Sequence, residues 1–571
     1  MENAQVADIF DEIADLIELA EGNEFRIRSY RSAARTVRDF SERLEDLVER
    51  GEHLSAIPNI GKRTAEKIHE ILETGTCKRL EEMRQAVPPA LVELMRVPNL
   101  GPRKAMTLHR ELGVESLEDL RKACQNGKVR ALEGFGAKTE EKLLGGIKTL
   151  VAASGRYLYK AAADHVESIG RHLDAIDAVT RWEVAGSFRR RKETIGDLDI
   201  LVQAADRGKA TDAILDYGDI GEVVSRGRER VTVRLASGLQ IDFRYFDPSG
   251  FGAALMYFTG SKAHNIGVRK RAVERGWKLN EYGLTKDDRQ LAGKTEASVY
   301  HRLNLPWIPP ELREDRGELD AAERDALPDL IALDHVRGDL QAHTTATDGA
   351  NTIEEMARAA ADRGYQFFAL TDHSKRVTMA GGLDDDATRK HADAIREADE
   401  RIKDMWLMAG IEVDVLKSGK LDLREKTLAD LDWVVASIHY DRNLDRKKMT
   451  ERYLSAVESG VVHCLGHPLG RVIGERDPLP LDLDRLFEAC ADHGVWIEIN
   501  AQPDRLDLPD THVKRAREAG VRFTLGTDAH KIADLDFMAF GVHVARRGWL
   551  EKKHVLNTRT AAQLRKALKR K

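Results

Sequence analysis

From about residue 337 onward, the chain repeats one pattern: a short apolar stretch with strand character, a polar residue that can bind a metal at its end, and a helical stretch. The apolar stretches read FFALTDH, WLMAGIEVDV, DWVVASIHY, VVHCLGHP, VWIEINA and RFTLGTDAH. Repeated strand–helix units favour a parallel sheet closed into an α/β barrel, in which functional side chains collect at the carboxyl ends of the strands. The pattern therefore predicts an α/β barrel with a site at one mouth.

Histidines and carboxylates stand at these strand ends. A single histidine after a strand is usually structural, but a set spread over separate strands is difficult to attribute to packing. Imidazole mixed with carboxylate suits Zn²⁺, Mn²⁺ or iron, and so many candidate ligands imply two or three ions. The candidate ligands are His343, Asp348, His373, Glu412, His439, His467, Asp528 and His530.

A second candidate site lies in GSFRRRKETIGDLDILV, at 186–202. Asp197 and Asp199 are two residues apart on a predicted strand, so their side chains point to the same face. Two adjacent carboxylates repel each other unless a cation lies between them. Asp242, in LQIDFRYF on a neighbouring strand, is the candidate third ligand, and three carboxylates favour Mg²⁺ or Mn²⁺. The alternative is a β-hairpin with a solvated aspartate pair.

The residues just before these aspartates suit a triphosphate. The turn at Gly186 and Ser187 offers backbone donors and a hydroxyl, and the arginines at 189–191 supply positive charge. Paired metals at the aspartates would stabilise the attacking and leaving oxygens of a phosphoryl transfer. We also expect RVTVRL and SGLQIDFRYF to form a hairpin within a mixed sheet.

An internal repeat occupies the first 150 residues. The stretches IPNIGKRTAEKI, VPNLGPRKAMTL and LEGFGAKTEEKL each have an apolar residue, a tight turn ending in Gly61, Gly101 or Gly136, and a helix with a basic residue near its start. Such a turn aims backbone N–H groups and a helix N-terminus outward, where a phosphate can bind. This is the helix-hairpin-helix pattern, which binds the DNA backbone without reading sequence. The alternative is that these turns serve packing alone.

Composition limits the remaining classes. A chain of 571 residues exceeds one hydrophobic core, and its 33% charged and 42% hydrophobic residues are typical of a soluble, multidomain protein. We find no apolar run long enough to cross a bilayer and no signal peptide. The four cysteines are far apart, which suits a reducing cytoplasm. A net charge of −6 argues neither for nor against nucleic acid.

The stretch at 186–202 resembles the nucleotidyltransferase signature of the family X DNA polymerases, the group of DNA polymerase beta. YFTGSKAHNIGVR and GWKLNEYGL resemble that family's nucleotide-binding segment and thumb. The resemblance implies that the three catalytic aspartates are Asp197, Asp199 and Asp242. It also implies triphosphate contacts at Ser187 and Arg190, residues that crowd the sugar at Tyr257, Phe258 and Gly260, and contacts with the nascent pair and template at Asn265 and Arg269.

The resemblance extends to the first domain and has departures. NEFRIRSYRSAAR and IPNIGKRTAEKIHEIL resemble the family's 8 kDa domain, in which Lys67 matches a Schiff-base lysine that excises 5′-deoxyribose phosphate. An amine nucleophile needs a lowered pKa, and Arg63 lies next to it on the helix. The alternative is one more phosphate-binding lysine. Gln240 and Lys262 depart from polymerase beta, which leaves rate and fidelity open.

The strand-end set resembles the PHP domain, a seven-stranded α/β barrel with a trinuclear metal centre. The match continues through EINAQPDRLDLPD and ARRGWLEKKHVLNT. Gln341 is the departure, because the family has histidine there and a neutral amide is a poorer ligand. The eight candidate ligands can still hold the two ions that two-metal hydrolysis needs. Arg471 is either a phosphate ligand or a surface arginine, and Asp372 is expected to point away from the metals.

The combined resemblance predicts a multidomain chain: helical helix-hairpin-helix domains, an α+β nucleotidyltransferase palm and thumb, and a C-terminal (β/α)7 PHP barrel. The expected segments are an 8 kDa lyase-like domain (1–80), helix-hairpin-helix fingers (81–150), the palm (151–247), the thumb (248–315), a linker (316–336) and the PHP metallophosphoesterase (337–571).

The implied function is DNA-directed gap filling in base excision repair, with a PHP 3′–5′ exonuclease or phosphoesterase that acts as an AP endonuclease in some members. It implies Mg²⁺ or Mn²⁺ in the palm, and two or three Mn²⁺ or Zn²⁺ ions in the barrel. The expected partners are gapped or primed DNA and dNTP, with no membrane, for a monomer in the bacterial cytoplasm at the nucleoid. The alternatives are a template-independent nucleotidyltransferase, and a DNA-binding repair scaffold with an inactive barrel.

Overall fold

The computed structural model divides the chain into two compact units, residues 1–155 and 156–571. It describes residues 156–568 except 288 and 404, and in the first unit the ranges 3–20, 23–39, 44–57, 60–87 and 100–114, together with short runs between 91 and 144. None of the described helices combines the length and the apolar character that crossing a membrane requires.

The first unit is helical in its described part. Its helices are α1 (Asn3–Leu19), α2 (Glu24–Asp39), α3 (Leu44–Glu49), α4 (Lys62–Thr74), α5 (Lys78–Ala86) and α6 (Pro102–Leu112). The apolar residue before each repeat glycine is buried: Ile60 and Leu100 are 2% exposed and Phe135 is 6% exposed. These residues anchor each turn in one core and leave the glycine at the surface.

The palm is a mixed five-stranded sheet in the order β2-β4-β7-β6-β5. Its strands are β2 (Val179–Val184), β4 (Asp197–Ala204), β5 (Ile220–Arg226), β6 (Arg230–Leu235) and β7 (Gln240–Tyr245), preceded by the small pair β1 (Tyr157–Leu158) and β3 (Thr194–Ile195). β6 and β7 form the predicted antiparallel hairpin, while β4 and β7 pair in parallel. Helices α7 (Tyr159–Asp174) and α9 (Arg207–Leu215) contribute to its core, and the short helix α8 (Gly186–Arg189) leads into β4.

The thumb combines helices with a small antiparallel sheet. Its elements are α10 (Phe251–Thr259), α11 (Lys262–Val273), β8 (Lys278–Asn280), β9 (Gly283–Lys286), β10 (Arg289–Ala292) and α12 (Glu296–Arg302). The segment that we predict as a linker forms α13 (Glu318–Glu323) and packs into the thumb core through Leu319. The carboxylate of Glu318 is fully buried, and its contact with His264 Nδ1 at 2.7 Å stabilises it there. A charged segment is therefore part of the packed thumb.

The barrel has seven parallel strands that follow chain order. They are β11 (Gly338–Asp339), β12 (Phe367–Leu370), β13 (Trp406–Asp414), β14 (Trp433–Ser437), β15 (Cys464–Leu465), β16 (Trp496–Asn500) and β17 (Phe523–Gly526). The segments that follow the first and last strands pair through Ala342 and Ala529 and close the ring. The helices around it are α14 (Ile353–Asp362), α15 (Asp385–Arg401), α16 (Glu425–Ala429), α17 (Arg446–Glu458), α18 (Leu483–His493), α19 (Asp510–Glu518), α20 (Met538–Arg547) and α21 (Ala561–Leu568).

The palm packs directly on the barrel within the second unit. Tyr159 of the palm lies edge-on to His543 of α20, with ring centroids 5.3 Å apart. Arg471 donates to Glu193 of the palm at 2.7 Å and to the Leu506 carbonyl at 2.6 Å. Arg471 therefore joins the palm to the barrel. The sequence predicted either a phosphate ligand or a surface arginine, and neither role includes this contact.

Two candidate metal centres and a candidate DNA-binding surface

The three palm carboxylates lie side by side on neighbouring strands. Asp199 of β4 pairs with Asp242 of β7 in parallel register, and Asp197 stands two residues before Asp199, on the same face of its strand. The side chain of Asp199 is 17% exposed and that of Asp242 is 7% exposed. Thr232 Oγ1 donates to Asp242 Oδ1 at 2.6 Å and orients this carboxylate.

Arg244 is a palm residue that sequence reasoning missed. Its Nε donates to Asp199 Oδ1 at 3.2 Å and its Nη2 to Asp242 Oδ2 at 2.9 Å. Its guanidinium lies 4.5 Å from the centre of the Phe258 ring. Arg244 follows Asp242 by two residues on one strand, so the alternation of strand side chains could have placed it beside the carboxylates.

The palm carboxylates need more positive charge than Arg244 supplies. Burial raises the pKa of Asp199 to about 6 although Arg244 opposes the shift. Burial, together with the negative charge of Asp242, also raises the pKa of Asp197. Partly buried carboxylates that remain difficult to ionise beside a guanidinium favour binding of a further cation. A set of three carboxylates fits Mg²⁺ or Mn²⁺.

Gly186 and Ser187 begin α8 directly beside Asp199. Gly186 has φ +62°, and a Cβ there would lie 3.1 Å from Asp199 Oδ2, so the turn requires glycine. Arg190 leaves the end of this helix toward the thumb. Its Nε donates to Glu314 at 3.0 Å, and its Nη1 lies 3.5 Å from where a Cβ of Gly260 would stand.

Two of the three arginines expected to face a triphosphate do not. Arg189 donates to both oxygens of Glu296 at 2.7 Å, and Arg191 donates to the hydroxyl of Tyr159. Both guanidiniums are held inside the protein by residues far away in the sequence, which is why local reasoning could not exclude them. Arg190 is the remaining candidate of the three.

The residues predicted to contact the sugar and base lie where α10 meets α11. Tyr257 and Phe258 end α10, and Gly260 follows as its C-cap with φ +62°. Asn265 Nδ2 donates to the Tyr257 carbonyl at 2.6 Å, while its buried Oδ1 has no hydrogen-bond partner among the described residues. Arg269 is exposed on the same helix, α11.

The structure brings all eight predicted barrel ligands together at one mouth. Seven of them fall into three overlapping groups whose ligand atoms lie within 4.8 Å of one another. His467 joins the cluster through Glu412, 3.0 Å away. The groups are His343, Asp348, His373 and His530; His373, Glu412 and His439; and His343, Glu412 and Asp528.

Glu412 stands at the centre of this cluster. Its carboxylate lies 3.1 Å from His373, 3.6 Å from His439 and 3.7 Å from His343. Neither of its oxygens has a hydrogen bond of acceptable geometry, although the side chain is fully buried. Burying a carboxylate that has no hydrogen-bond donor costs free energy. Imidazoles that approach such a carboxylate without hydrogen bonding to it are arranged as they would be if both bound the same cations. The donor set therefore fits two or more Mn²⁺ or Zn²⁺ ions.

The charges of the cluster stabilise each other. Burial opposes ionisation of Asp348, but contacts with His373 and His530 hold its pKa well below its usual range. Burial lowers the pKa of His530, but contact with Asp348 and the charge of Asp528 outweigh it and raise that pKa to about 9. Cations at this site would therefore compete with protons on the imidazoles.

Carboxylates behind the cluster orient its histidines. Asp414 accepts from His439 Nδ1 at 3.2 Å and from its backbone N–H at 2.9 Å, which leaves Nε2 toward Glu412. Asp372 belongs to none of the three groups and accepts from Thr344 and His391. Sequence reasoning missed Asp414, although its position two residues after Glu412 on one strand was a usable signal.

Gln341 is fully buried beside the cluster, and neither Oε1 nor Nε2 has a hydrogen-bond partner among the described residues. Its Oε1 lies 3.3 Å from where a Cβ of Gly466, the residue before His467, would stand. A buried amide with both polar atoms unsatisfied costs free energy. Gln341 therefore has an unsatisfied amide at the position where the resemblance to the PHP domain implies a histidine.

The three repeat glycines all begin helices. Gly61 is the N-cap of α4 and Gly101 the N-cap of α6, and the Gly136 carbonyl accepts from the Glu140 amide at 3.0 Å. None has positive φ, and a Cβ on any of them would meet no atom of the described residues within 4 Å. Lys67 on α4 is half-buried, and its Nζ donates to the Arg63 carbonyl at 3.2 Å.

Five family models match the chain, and together they follow its elements. Their descriptions and ranges are helix-hairpin-helix domain (1–77), SAM-like helix-hairpin-helix tandem (91–149), DNA polymerase beta palm (159–232), DNA polymerase beta thumb (254–314) and PHP domain (339–502). The predicted fold class is confirmed in each of its three parts.

A full-length relative decides the family. The chain is 35% identical over 574 residues to DNA polymerase/3′–5′ exonuclease PolX of Bacillus subtilis (strain 168), and the match covers 100% of both chains. The chain belongs to the family X DNA polymerases with a PHP domain.

Two further relatives match parts of this family X chain. DNA polymerase lambda of Rattus norvegicus is 26% identical over 328 residues, which cover 52% of this chain and 53% of the relative. A probable phosphatase of Thermoanaerobacter sp. (strain X514) is 28% identical over 231 residues, which cover 38% of this chain and 89% of the relative. The resemblance to the family X polymerases stated from the sequence is thus confirmed.

Proposed function

We propose that this family X chain fills short gaps in DNA during base excision repair, and that its barrel removes nucleotides from 3′ ends. The observation that carries the proposal is the presence of both ligand clusters in a chain that matches a DNA polymerase/3′–5′ exonuclease along its whole length. The two activities are complementary, because one extends a 3′ hydroxyl and the other prepares the 3′ end that extension needs.

In the palm, Asp197, Asp199 and Asp242 would hold Mg²⁺ or Mn²⁺, which supplies Lewis acidity at the attacking and leaving oxygens when bound. Asp242 is held in orientation by Thr232. Ser187 follows Gly186, which adjoins Asp199, and Ser187 and the backbone of this turn would bind the triphosphate together with Arg190.

The thumb residues would position the incoming nucleotide. Tyr257 and Phe258, whose ring centroids lie 5.1 Å apart, would crowd the sugar together with Gly260 and disfavour a ribose 2′-hydroxyl. The buried Oδ1 of Asn265 can accept a hydrogen bond from the nascent pair. Arg269, which is exposed on the same helix, would contact the template strand.

In the barrel, the eight candidate ligands would hold two or three Mn²⁺ or Zn²⁺ ions, which lower the pKa of a water and polarise the phosphodiester when bound. Asp414 holds the tautomer of His439 that presents Nε2. Glu412 is shared among the imidazoles and would bridge neighbouring positions. Gln341 leaves the position of the family's histidine without an imidazole, so we expect two ions to be held more tightly than a third.

The repeat turns would bind the DNA backbone. Gly61, Gly101 and Gly136 are glycines that neither φ nor internal packing requires. A surface position that must stay free of a side chain suits close approach of an external group, and the exposed N–H groups of a helix start suit phosphate. The metal sites of the palm and the barrel would then act on DNA that the repeat turns hold without sequence preference.

Lys67 is the candidate nucleophile for 5′-deoxyribose phosphate excision. Lys67 is only half-buried on α4, the helix that begins after Gly61, so an aldehyde of a DNA 5′ end could reach its amine. Borohydride trapping on an incised abasic substrate tests this role: a covalent complex that disappears in Lys67→Ala supports it, and trapping that persists assigns the lysine to phosphate binding.

The partners that follow are gapped or primed DNA and dNTP. We expect a monomer in the bacterial cytoplasm, associated with the nucleoid through DNA. Sedimentation of the pure protein with and without a gapped duplex measures both the oligomeric state and the complex.

A single labelled primer in a one-nucleotide gap tests the proposal. We expect incorporation of the nucleotide complementary to the template, and stepwise shortening of the primer in Mn²⁺ when dNTP is withheld. Extension of an unpaired single strand without template preference would instead support a template-independent nucleotidyltransferase. Gap filling without any shortening would support an inactive barrel that serves as a scaffold.

A further inference from the structure

Three consecutive strands of the barrel are each followed by an arginine at its mouth. Arg442 lies in the loop after β14, Arg476 in the loop after β15, and Arg505 in the loop after β16. Neighbouring parallel strands end at the same edge, so these loops converge on one side of the metal cluster. None of the three arginines belongs to the candidate ligand set.

Contacts place the arginines together. Arg476 Nε donates to the Gly470 carbonyl at 2.9 Å, and a side chain on Gly470 would collide with Arg442 Nη1. Arg442 Nη2 donates to the Asp477 carbonyl at 3.1 Å, so backbone carbonyls hold both guanidiniums. Arg505 Nε lies 3.9 Å from Asp528, a candidate metal ligand, and its buried Nη1 has no hydrogen-bond partner among the described residues.

Carboxylates also face the three arginines. Asp528 lies 3.9 Å from Arg505 Nε, and the negative charges of Asp477, Asp504 and Asp507 act on Arg442 or Arg476. The nearby buried Asp507 accepts from the Leu469 amide. Burial and the charges of the other two arginines lower the pKa of Arg476, and burial and the charge of Arg505 lower that of Arg442. Like charges held close together are unfavourable unless an anion joins them.

We propose that Arg442, Arg476 and Arg505 form a phosphate-binding subsite for the DNA strand that the barrel degrades. The proposal rests on the exonuclease function proposed above and names where that site holds its substrate. Guanidinium binds phosphate through paired, charge-assisted hydrogen bonds and reads no base. Since Arg505 adjoins the cluster, the bound group is either the scissile phosphodiester or the next phosphate of the same strand.

Kinetics of Arg442→Gln and Arg476→Gln test the subsite, with Arg485→Gln as the control. Arg485 is an exposed arginine of α18 that pairs with Glu451 at 2.9 Å. On a 3′-labelled single strand in Mn²⁺, we expect each subsite variant to raise KM about tenfold, which corresponds to loss of about 1.4 kcal/mol of binding free energy from a charge-assisted hydrogen bond. We expect kcat within about twofold, partial recovery in the lysine variants, and no change in the control.

The p-nitrophenyl ester of thymidine 5′-phosphate, which has one phosphodiester, separates the two positions. A raised KM for this ester as well as the oligonucleotide assigns the scissile phosphate, and a raised KM for the oligonucleotide alone assigns the next one. Unchanged KM for both substrates in both variants, at wild-type melting temperature, overturns the subsite. His439→Ala in the same assay keeps the outcomes distinct, because only degradation at the wild-type rate in that variant contradicts the exonuclease itself.

Discussion

Asp199 is a carboxylate that destabilises the fold unless a cation accompanies it. Burial raises its pKa to about 6 from an ordinary value of 3.8. The folded protein therefore retains this proton at a pH where the unfolded chain has lost it. Folding stability consequently falls as pH rises from about 4 to about 6, and the loss persists at higher pH.

We expect Asp199→Asn to raise the Tm of the metal-free protein at pH 8 by a few degrees, while gap filling is lost. The gain should correspond to about 1–2 kcal/mol, since loss of the Arg244 contact offsets part of it. The Tm difference should shrink toward pH 4. Thermal denaturation in EDTA measures it, and Mg²⁺ should stabilise the wild type more than the variant. A variant that is less stable than the wild type at pH 8 would contradict this account of Asp199.

Asp414 orients His439 and is not itself a candidate ligand. Its removal should therefore weaken metal binding indirectly, through His439. We expect Asp414→Asn to lower Mn²⁺ affinity and 3′–5′ degradation by about 10–100-fold. Gap filling should stay within about twofold of wild type. Titration of Mn²⁺ against the degradation rate separates weaker affinity, which added metal rescues, from misfolding, which it does not. Wild-type affinity in the variant would exclude the orienting role.

Side chains that belong to the sites could be predicted where strand alternation or strand ends place them, as for Asp197, Asp199 and the barrel histidines. The partners of Arg189 and Arg191 could not, because Glu296 and Tyr159 are brought to them by tertiary packing. Local sequence therefore identifies candidate ligands, but it does not identify which arginine side chains are already paired within the folded protein.

At the scale of elements, substitutions at the two ends of one helix in the first unit can separate an effect on DNA binding from an effect on folding stability. Gly101 has φ −81°, and a Cβ there meets no atom within 4 Å in the described part of the chain, so alanine should be tolerated by the fold. Gly113 ends the same helix, α6, with φ +65°, where a side chain is strained. The two ends of one helix thus offer a matched pair of variants.

We expect Gly101→Ala to leave Tm within about 1 °C and to weaken binding of a gapped duplex several-fold, because a methyl group would separate the turn from the phosphate. Gly113→Ala should instead lower stability by about 1 kcal/mol with DNA affinity retained. Fluorescence anisotropy and thermal denaturation of both variants provide the measurements. Equal DNA affinity for Gly101→Ala and wild type would argue that the turns serve packing alone.

Elements with strong periodicity were predictable, including the β6–β7 hairpin and the barrel strands. The packing of the segment at 316–336, which we predict as a linker, was not, because its Glu318 pairs with His264 inside the thumb. Burial of a charge depends on a partner that only the folded chain supplies.

In the second unit, one arginine of the barrel supports the palm. Arg547 of α20 is 3% exposed in its side chain, donates to the Arg190 carbonyl, and pairs with Glu314 at 3.1 Å and Asp510 at 2.6 Å. Glu314 in turn pairs with the Arg190 guanidinium at 3.0 Å. The barrel therefore contributes to holding the residue that we expect to contact the triphosphate.

We expect Arg547→Ala to lower stability by about 1.5–3 kcal/mol, since Glu314 and Asp510 each lose one of two cationic partners and keep Arg190 and Arg316. Gap filling in folded protein should show a raised KM for dNTP with kcat less affected, because Arg190 loses its alignment. Arg515→Ala, which removes an exposed pair with Asp484, is the control. Steady-state kinetics at low temperature measure KM for dNTP in folded Arg547→Ala. An unchanged KM would show that the barrel does not support the nucleotide site of the palm.

The order of domains could be predicted from motifs, but the packing of palm on barrel could not. The contact uses single residues such as Arg471 and His543, which carry no local pattern. Such contacts depend on complementarity between two complete surfaces.

The most direct test of two separate metal centres in one chain is a gapped-duplex assay of Asp199→Ala and His439→Ala, with primer extension and primer shortening measured together in Mn²⁺. We predict that Asp199→Ala loses extension and keeps shortening, and that His439→Ala loses shortening and keeps extension. Loss of both activities in folded protein of either variant, or persistence of both, would contradict the account.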